Sequence, residues 1–302
     1  MPFADRSPYP PRRLVVMHIG SEEHKQLFCR AFIESHRAYE PREMPWPELD
    51  DVSLARLRAI PVWSMALDIE ISAGSMLEGY AKTEGDPLVR RALEVQGFEE
   101  ARHGRILAEM VSRYGLTAKV SGPSKEPTRR AFVSFGYDEC VDSFAGFGIF
   151  RLARDARILP DSLTSLFVRV MEEEARHIVF FVNWIAWDRD RRGCRGPLMQ
   201  AFPALLEYGR AVTRRAKGGS EMAAGGSAGA DGAINLFDDV MKGLTPAKFL
   251  RACIAENDRY MRAFDPRLLR PRVIPTLAKT ALFILEAIEH LRATFNRGEA
   301  HA

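Results

Sequence analysis

Cysteine is scarce and scattered: Cys29, Cys140, Cys194 and Cys253 form no CxxC pair, which excludes a zinc ribbon or a rubredoxin-type iron site. So little cysteine suits a reduced, cytoplasmic setting. No apolar run approaches the roughly 18 residues of a membrane span, and the longest, Ile178 to Trp187, is broken by Asn183. The opening MPFADRSPYPPRRLVVMHIG has no apolar stretch of signal-peptide length. A surplus of one charge is missing too. The 43 basic and 40 acidic side chains leave a net charge of +3, which supports neither nucleic-acid binding nor an acidic disordered tail. GxGxxG, Walker and Cys-His nucleophile patterns are absent, and no GxSxG elbow between a strand and a helix appears, so nucleotide-dependent and acyl-enzyme chemistry have no support. Lysine is rare beside arginine, and the short clusters Arg12-Arg13, Arg90-Arg91, Arg129-Arg130 and Arg189 to Arg195 could each meet an acidic partner.

What is present reads as helix after helix, with no sustained period-2 alternation, so the class is all-α. Residues 1–20 are Pro-rich and read as irregular. Ser21 caps a helix running to about Ala38, and the prolines between Glu40 and Glu48 impose a loop. Four longer helices follow, over about 61–83, 87–114, 128–156 and 161–190, separated by Glu84-Gly85-Asp86-Pro87, by a long Gly/Pro/Ser/Lys loop and by Leu159-Pro160-Asp161. This order, with one longer crossover, describes a four-helix bundle spanning 21–191 with one preceding helix. Residues 192–302 read as a helical extension with stretches at 197–215, 245–264 and 274–294, and the Gly/Ala/Ser-rich segment 217–232 reads as a disordered linker.

Two strings are identical: Glu99-Glu100-Ala101-Arg102-His103 and Glu173-Glu174-Ala175-Arg176-His177. In each, Glu and His at i and i+3 lie about 60° and one turn apart, so carboxylate and imidazole can converge on one metal. One such pair is weak evidence. Two copies on the second and fourth helices match a bundle-core dimetal site, which also needs a carboxylate from each of the other two helices. Residues at equal height on antiparallel neighbours are equidistant from the turn. Glu70 and Glu100 are centred on Gly85, and Glu70 lies in an otherwise apolar stretch. Asp142 and Glu174 are centred on residue 158, whereas Glu139 lies one turn too far from the loop; Asp142 is therefore the preferred third-helix carboxylate and Glu139 its alternative. Gly97, Ala73, Gly74, Ala145 and Gly146 next to these positions leave room for a substrate cavity or allow close helix packing. Phe98, Phe144, Ile149, Phe181 and Trp184 are cavity lining or plain core.

These strings resemble those of the ferritin-like diiron-carboxylate superfamily, most of all its oxygen-activating branch of soluble acyl-carrier-protein desaturases and bacterial multicomponent monooxygenase hydroxylases. The resemblance covers about Val62 to Trp187. It implies a ferritin-like bundle with added N- and C-terminal helices and a ligand set of Glu70, Glu100, His103, Asp142, Glu174 and His177, with Asp142 departing from the branch's usual Glu. A metal-bound His donates its other N–H to a carboxylate that an Arg fixes; by resemblance Glu99 pairs with Arg176 and Glu173 with Arg102. The implied function is that of a non-haem diiron oxidase or oxygenase, which hydroxylates, desaturates or otherwise oxidises an organic substrate. Two Fe ions, or Mn/Fe, would be its cofactors and O2 its co-substrate. Electrons would come from an external donor, a reductase or ferredoxin. The substrate would be a small organic or carrier-bound molecule, and a homodimer is compatible. The alternative is a ferritin-like ferroxidase or peroxide-scavenging iron protein with no organic substrate.

Overall fold

Helix boundaries follow from local caps. In the computed structural model, which describes residues 17–60, 62–120, 126–194, 196–225 and 244–299, every regular element among them is helical. The helices are α1 (Glu22–Glu34), α2 (Asp51–Ala59), α3 (Trp63–Ala81), α4 (Pro87–Tyr114), α5 (Arg129–Asp155), α6 (Asp161–Thr164), α7 (Val168–Arg191), α8 (Pro197–Gly225), α9 (Pro246–Met261) and α10 (Val273–Glu299). Asp86 accepts from the N–H groups of Leu88 and Val89 while Pro87 opens α4, and Gly115 ends it at φ +59°. A left-handed position favours glycine because it has no Cβ to clash. Ser21, Asp50, Thr128 and Thr245 cap α1, α2, α5 and α9 in the same way.

Helices α3, α4, α7 and α5 touch in a closed ring. The crossover from α4 to α5 passes along α3: the Lys119 N–H donates to Ser64 Oγ at 2.9 Å near one end, and Pro127 lies against Gly79 near the other. Thus α5 starts beside the end of α3, where Tyr80 stacks on Phe132 at 5.1 Å. Phe132, Phe181 and Trp184 continue this packing into the core. Helix α1 closes over α4 and α7. At the opposite end, α2 and α6 cover a separate apolar cluster around Leu57, Met110, Tyr114 and Leu163.

Several boundaries differ from those read in the sequence. The loop after α1 contains a 3₁₀ turn at Pro41–Glu43 and is followed by α2, whose nine residues are too short for a clear apolar period. The helix expected over 161–190 is broken into α6, a 3₁₀ turn at Ser165–Phe167 and α7. Helix α8 continues to Gly225, so residues 217–225 of the expected linker lie within it. The remainder of that expected linker, 226–232, lies outside the described residues, as do residues 1–16 of the expected irregular start. Helix α9 crosses α5 so closely that a Cβ on Gly148 would sit 2.3 Å from Cys253 Sγ. Cys253, Tyr260, Leu268 and Ile274 share the main core, so the C-terminal helices extend it. No helix among the described residues is long and apolar enough to cross a membrane.

Candidate metal centre

The i, i+3 spacing places Glu100 and His103 on one face of α4, and Glu174 and His177 on one face of α7. Because α4 and α7 meet in opposite directions, the two motifs interlock. His103 Nδ1 lies 3.0 Å from Glu174 Oε1 and 3.6 Å from both Glu70 Oε2 and Glu100 Oε2. His177 Nδ1 lies 2.9 Å from Glu100 Oε1 and 3.7 Å from Glu174 Oε2. Glu70, Glu100, His103 and Glu174 each offer one ligand atom within 4.8 Å of the others, and this buried cluster could hold a metal ion.

The outer nitrogens decide the chemistry of the inner ones. His103 Nε2 is 2.8 Å from Glu173 Oε2, and His177 Nε2 is 2.9 Å from Glu99 Oε2. Arg102 donates to Glu173 Oε1 at 2.6 Å and stays 3.9 Å from Glu99, while Arg176 donates to Glu99 Oε1 at 3.1 Å. Each outer carboxylate is therefore fixed by the arginine of the opposite helix. Burial alone would raise the Glu99 carboxyl, yet the His177 hydrogen bond and the charges of His177 and Arg176 bring it down to about 2. Burial is likewise outweighed at Glu173, which is lowered by His103 and Arg102. Both are anionic acceptors, so each Nε2 carries its proton and donates. Each Nδ1 then faces carboxylate oxygens, buried and without a hydrogen-bond partner.

Such an arrangement needs positive charge between nitrogen and oxygens. Without a metal it must come from protons. Burial opposes charging the two imidazoles, but Glu100, Glu173 and Glu174 around His103, and Glu100, Glu174 and Glu99 around His177, raise both well above the ordinary range. A cation bound there would displace those protons. Burial, and then neighbouring carboxylates, also raise Glu139 and Glu70, although His103 partly offsets the effect at Glu70.

Comparisons with protein-family profiles, with curated proteins and with solved structures returned no match. The site therefore rests on its own geometry.

The third-helix carboxylate is where sequence and structure part. Asp142, the preferred residue, is held in a bidentate ion pair by Arg215 of α8 and its side chain is 31 % exposed. Glu139 is buried and is the α5 carboxyl facing Glu174 and Glu100. The 3₁₀ turn before α7 supplies part of the physical reason. It rises about 2.0 Å per residue against 1.5 Å in an α-helix, so Glu174 stands further from the loop than counting implies. Its opposite number on α5 moves towards Glu139.

Two site residues had no signal in the sequence. His36 Nδ1 lies 2.5 Å from Glu99 Oε1, and the Tyr39 hydroxyl donates to Glu173 Oε2 at 3.1 Å. Both come from the segment after α1, which ends at Glu34 and not near Ala38 as expected, so His36 leaves the helix and reaches the site with Tyr39. The same segment grips the arginines: Arg102 donates to the Arg37 carbonyl and lies 3.8 Å over the Tyr39 ring, while Arg176 donates to Ser35 Oγ and the Phe32 carbonyl. Among the small residues, close packing holds for Gly74 and Gly97, whose added Cβ atoms would lie 2.9 Å from the Ala101 nitrogen and 3.2 Å from the Glu78 nitrogen. Gly146 faces open space. Phe144, Phe181 and Trp184 are core, whereas Phe98 and Ile149 are exposed.

Proposed function

We propose that this chain is a ferritin-like diiron oxidoreductase that uses dioxygen to oxidise an organic substrate. The observation that carries the proposal is the pair of buried Nδ1 atoms turned to carboxylates, each with its Nε2 proton committed to an outer glutamate. Glu70, Glu100, Glu139, Glu174, His103 and His177 would hold two iron ions, with Glu139 in the place first given to Asp142. Four carboxylates and two imidazoles suit iron in both its oxidation states, and the bound pair would supply the electrons for dioxygen reduction. The ring of four helices with a single long crossover supports the ferritin-like reading.

The protein's own residues orient and screen this centre. Glu99 and Glu173 keep the imidazoles in one tautomer, and Arg102 and Arg176 keep those glutamates ionised. Glu70 is 19 % exposed, so the α3 side offers the route for dioxygen and substrate. Electrons come from a separate donor protein.

The test is anaerobic loading with Fe(II), metal analysis and dioxygen uptake in the presence of a reductant. Wild type should hold two ions per chain. His103→Ala and His177→Ala should each fall towards one or none with the helical circular dichroism retained. If both variants bind two ions as tightly as wild type, the assignment fails. Dioxygen uptake with no product from any organic candidate would favour the ferroxidase reading.

A further inference from the structure

A cavity of about 510 Å³ lies on the far side of α7 from the metal cluster, between α1, α7, the end of α9 and the segment that follows it. Its size falls within the range of small-molecule sites. None of the six candidate ligands lines it, so it is not the reaction pocket of the cluster. Its floor is aromatic: Phe28, Phe32 and Phe180 pack on one another beneath it, and Phe264 lies partly exposed beside them. Phe32 also packs against the His177 ring, with centroids 5.9 Å apart.

The polar groups of the lining are unequal. Asp265 is held by Arg267 and Arg259 by Glu256, so neither is available to a ligand. Arg176 uses three of its N–H groups, on Ser35, Glu99 and Phe32, and a guanidinium has five. Arg37 is exposed, and its guanidinium has no hydrogen-bond or ion-pair partner among the described residues. Glu172, also exposed, is the one acidic group of the lining that no arginine holds there. Planar N–H forks match a carboxylate bidentately, and the phenylalanines match an aromatic body.

We infer that this cavity is a binding site for an aromatic carboxylate, whose ring lies against the phenylalanine floor and whose carboxylate is received by Arg37 with the free N–H groups of Arg176. The site is separate from the metal centre. Binding needs no metal, so its test is independent of the diiron reading.

Calorimetric titration of the purified chain, metal-free and metal-loaded alike, with 2-naphthylacetate should show one saturable site. The neutral 2-naphthylacetamide should bind about tenfold more weakly, since a hydrogen bond to a charged group is lost. Arg37→Ala should remove the advantage of the acid and leave the amide unchanged. Ala263→Trp fills the mouth from the segment after α9, and Ala31→Phe fills it independently from α1; either should abolish binding of both compounds. No saturable binding of the acid, equal affinity for acid and amide in wild type, or acid binding that survives both filling substitutions would overturn the inference.

Discussion

The half of the cluster built by α4 and α7 and the half built by α3 and α5 obey different rules. On α4 and α7 the inner ligands, outer glutamates and arginines of the two motifs interlock, and Arg102 is fully buried. On α3 and α5 each helix offers one carboxylate outside any repeated motif, and the surface is close: Glu70 is partly exposed and Asp142 is taken by Arg215. A motif shared by two interlocking helices fixes identity and geometry together. A lone carboxylate on a half-open helix fixes neither.

The largest effect expected from this difference lies within the braced half. Arg102→Ala removes the guanidinium that pairs with the buried Glu173 carboxylate and leaves it the hydrogen bonds from His103 and Tyr39, and loss of one member of a buried pair costs about 3–5 kcal/mol. Arg176 is 12 % exposed whereas Arg102 is fully buried, so Arg176→Ala should cost less. Thermal or denaturant unfolding of the metal-free chain measures both. In double-mutant cycles Arg102 should couple strongly to Glu173 and weakly to Glu99. Equal coupling would mean that the brace is not crossed between the helices.

The open half gives the next effect. Glu139→Ala should lower metal content and turnover, whereas Asp142→Ala should leave metal content near wild type and only loosen α8 on α5, where Arg214 still holds Asp138 at 2.6 Å. Metal analysis and limited proteolysis within α8 distinguish the two. The opposite order of severity would restore Asp142 as the ligand.

Legibility followed the same division. Helix α4 could be bounded to the residue because a proline-led cap and a left-handed glycine mark its ends. The doubled string was readable because each of its residues has a chemical task that spacing expresses. The height argument picked out Glu70, which the structure brings to the cluster across a short link from α3 to α4, whereas on α5, where α6 and a 3₁₀ turn intervene before α7, it favoured Asp142 and the structure turns Glu139 towards Glu174. His36 and Tyr39 could not be found, because they reach the site through an irregular segment whose position depends on tertiary packing.

A smaller effect contrasts the metal centre with a buried histidine outside it. His24 is fully buried; the Gly20 N–H donates to its Nδ1 at 3.2 Å, so its Nε2 carries the proton and donates to Asn183 Oδ1 at 2.9 Å. Asn183 also accepts from the Leu269 N–H and donates to the Leu269 carbonyl, so this imidazole helps tie α1 and the segment after α9 to α7. Burial lowers its pKa, against an opposing contribution from the Asn183 hydrogen bond, and the nearby His18 lowers it further. The unfolded chain therefore binds the extra proton more readily than the folded one. Stability from this group is complete above the ordinary imidazole value of about 6.5 and is lost progressively as the pH falls below it towards the depressed folded value. Replacing His24 with Gln removes the titration, so the difference in melting temperature between wild type and His24→Gln should shrink from pH 7.5 to pH 5. Measuring the difference cancels the titration of the metal cluster, which both chains share. A difference that stays constant or grows on acidification would show that His24 is not held neutral in the fold.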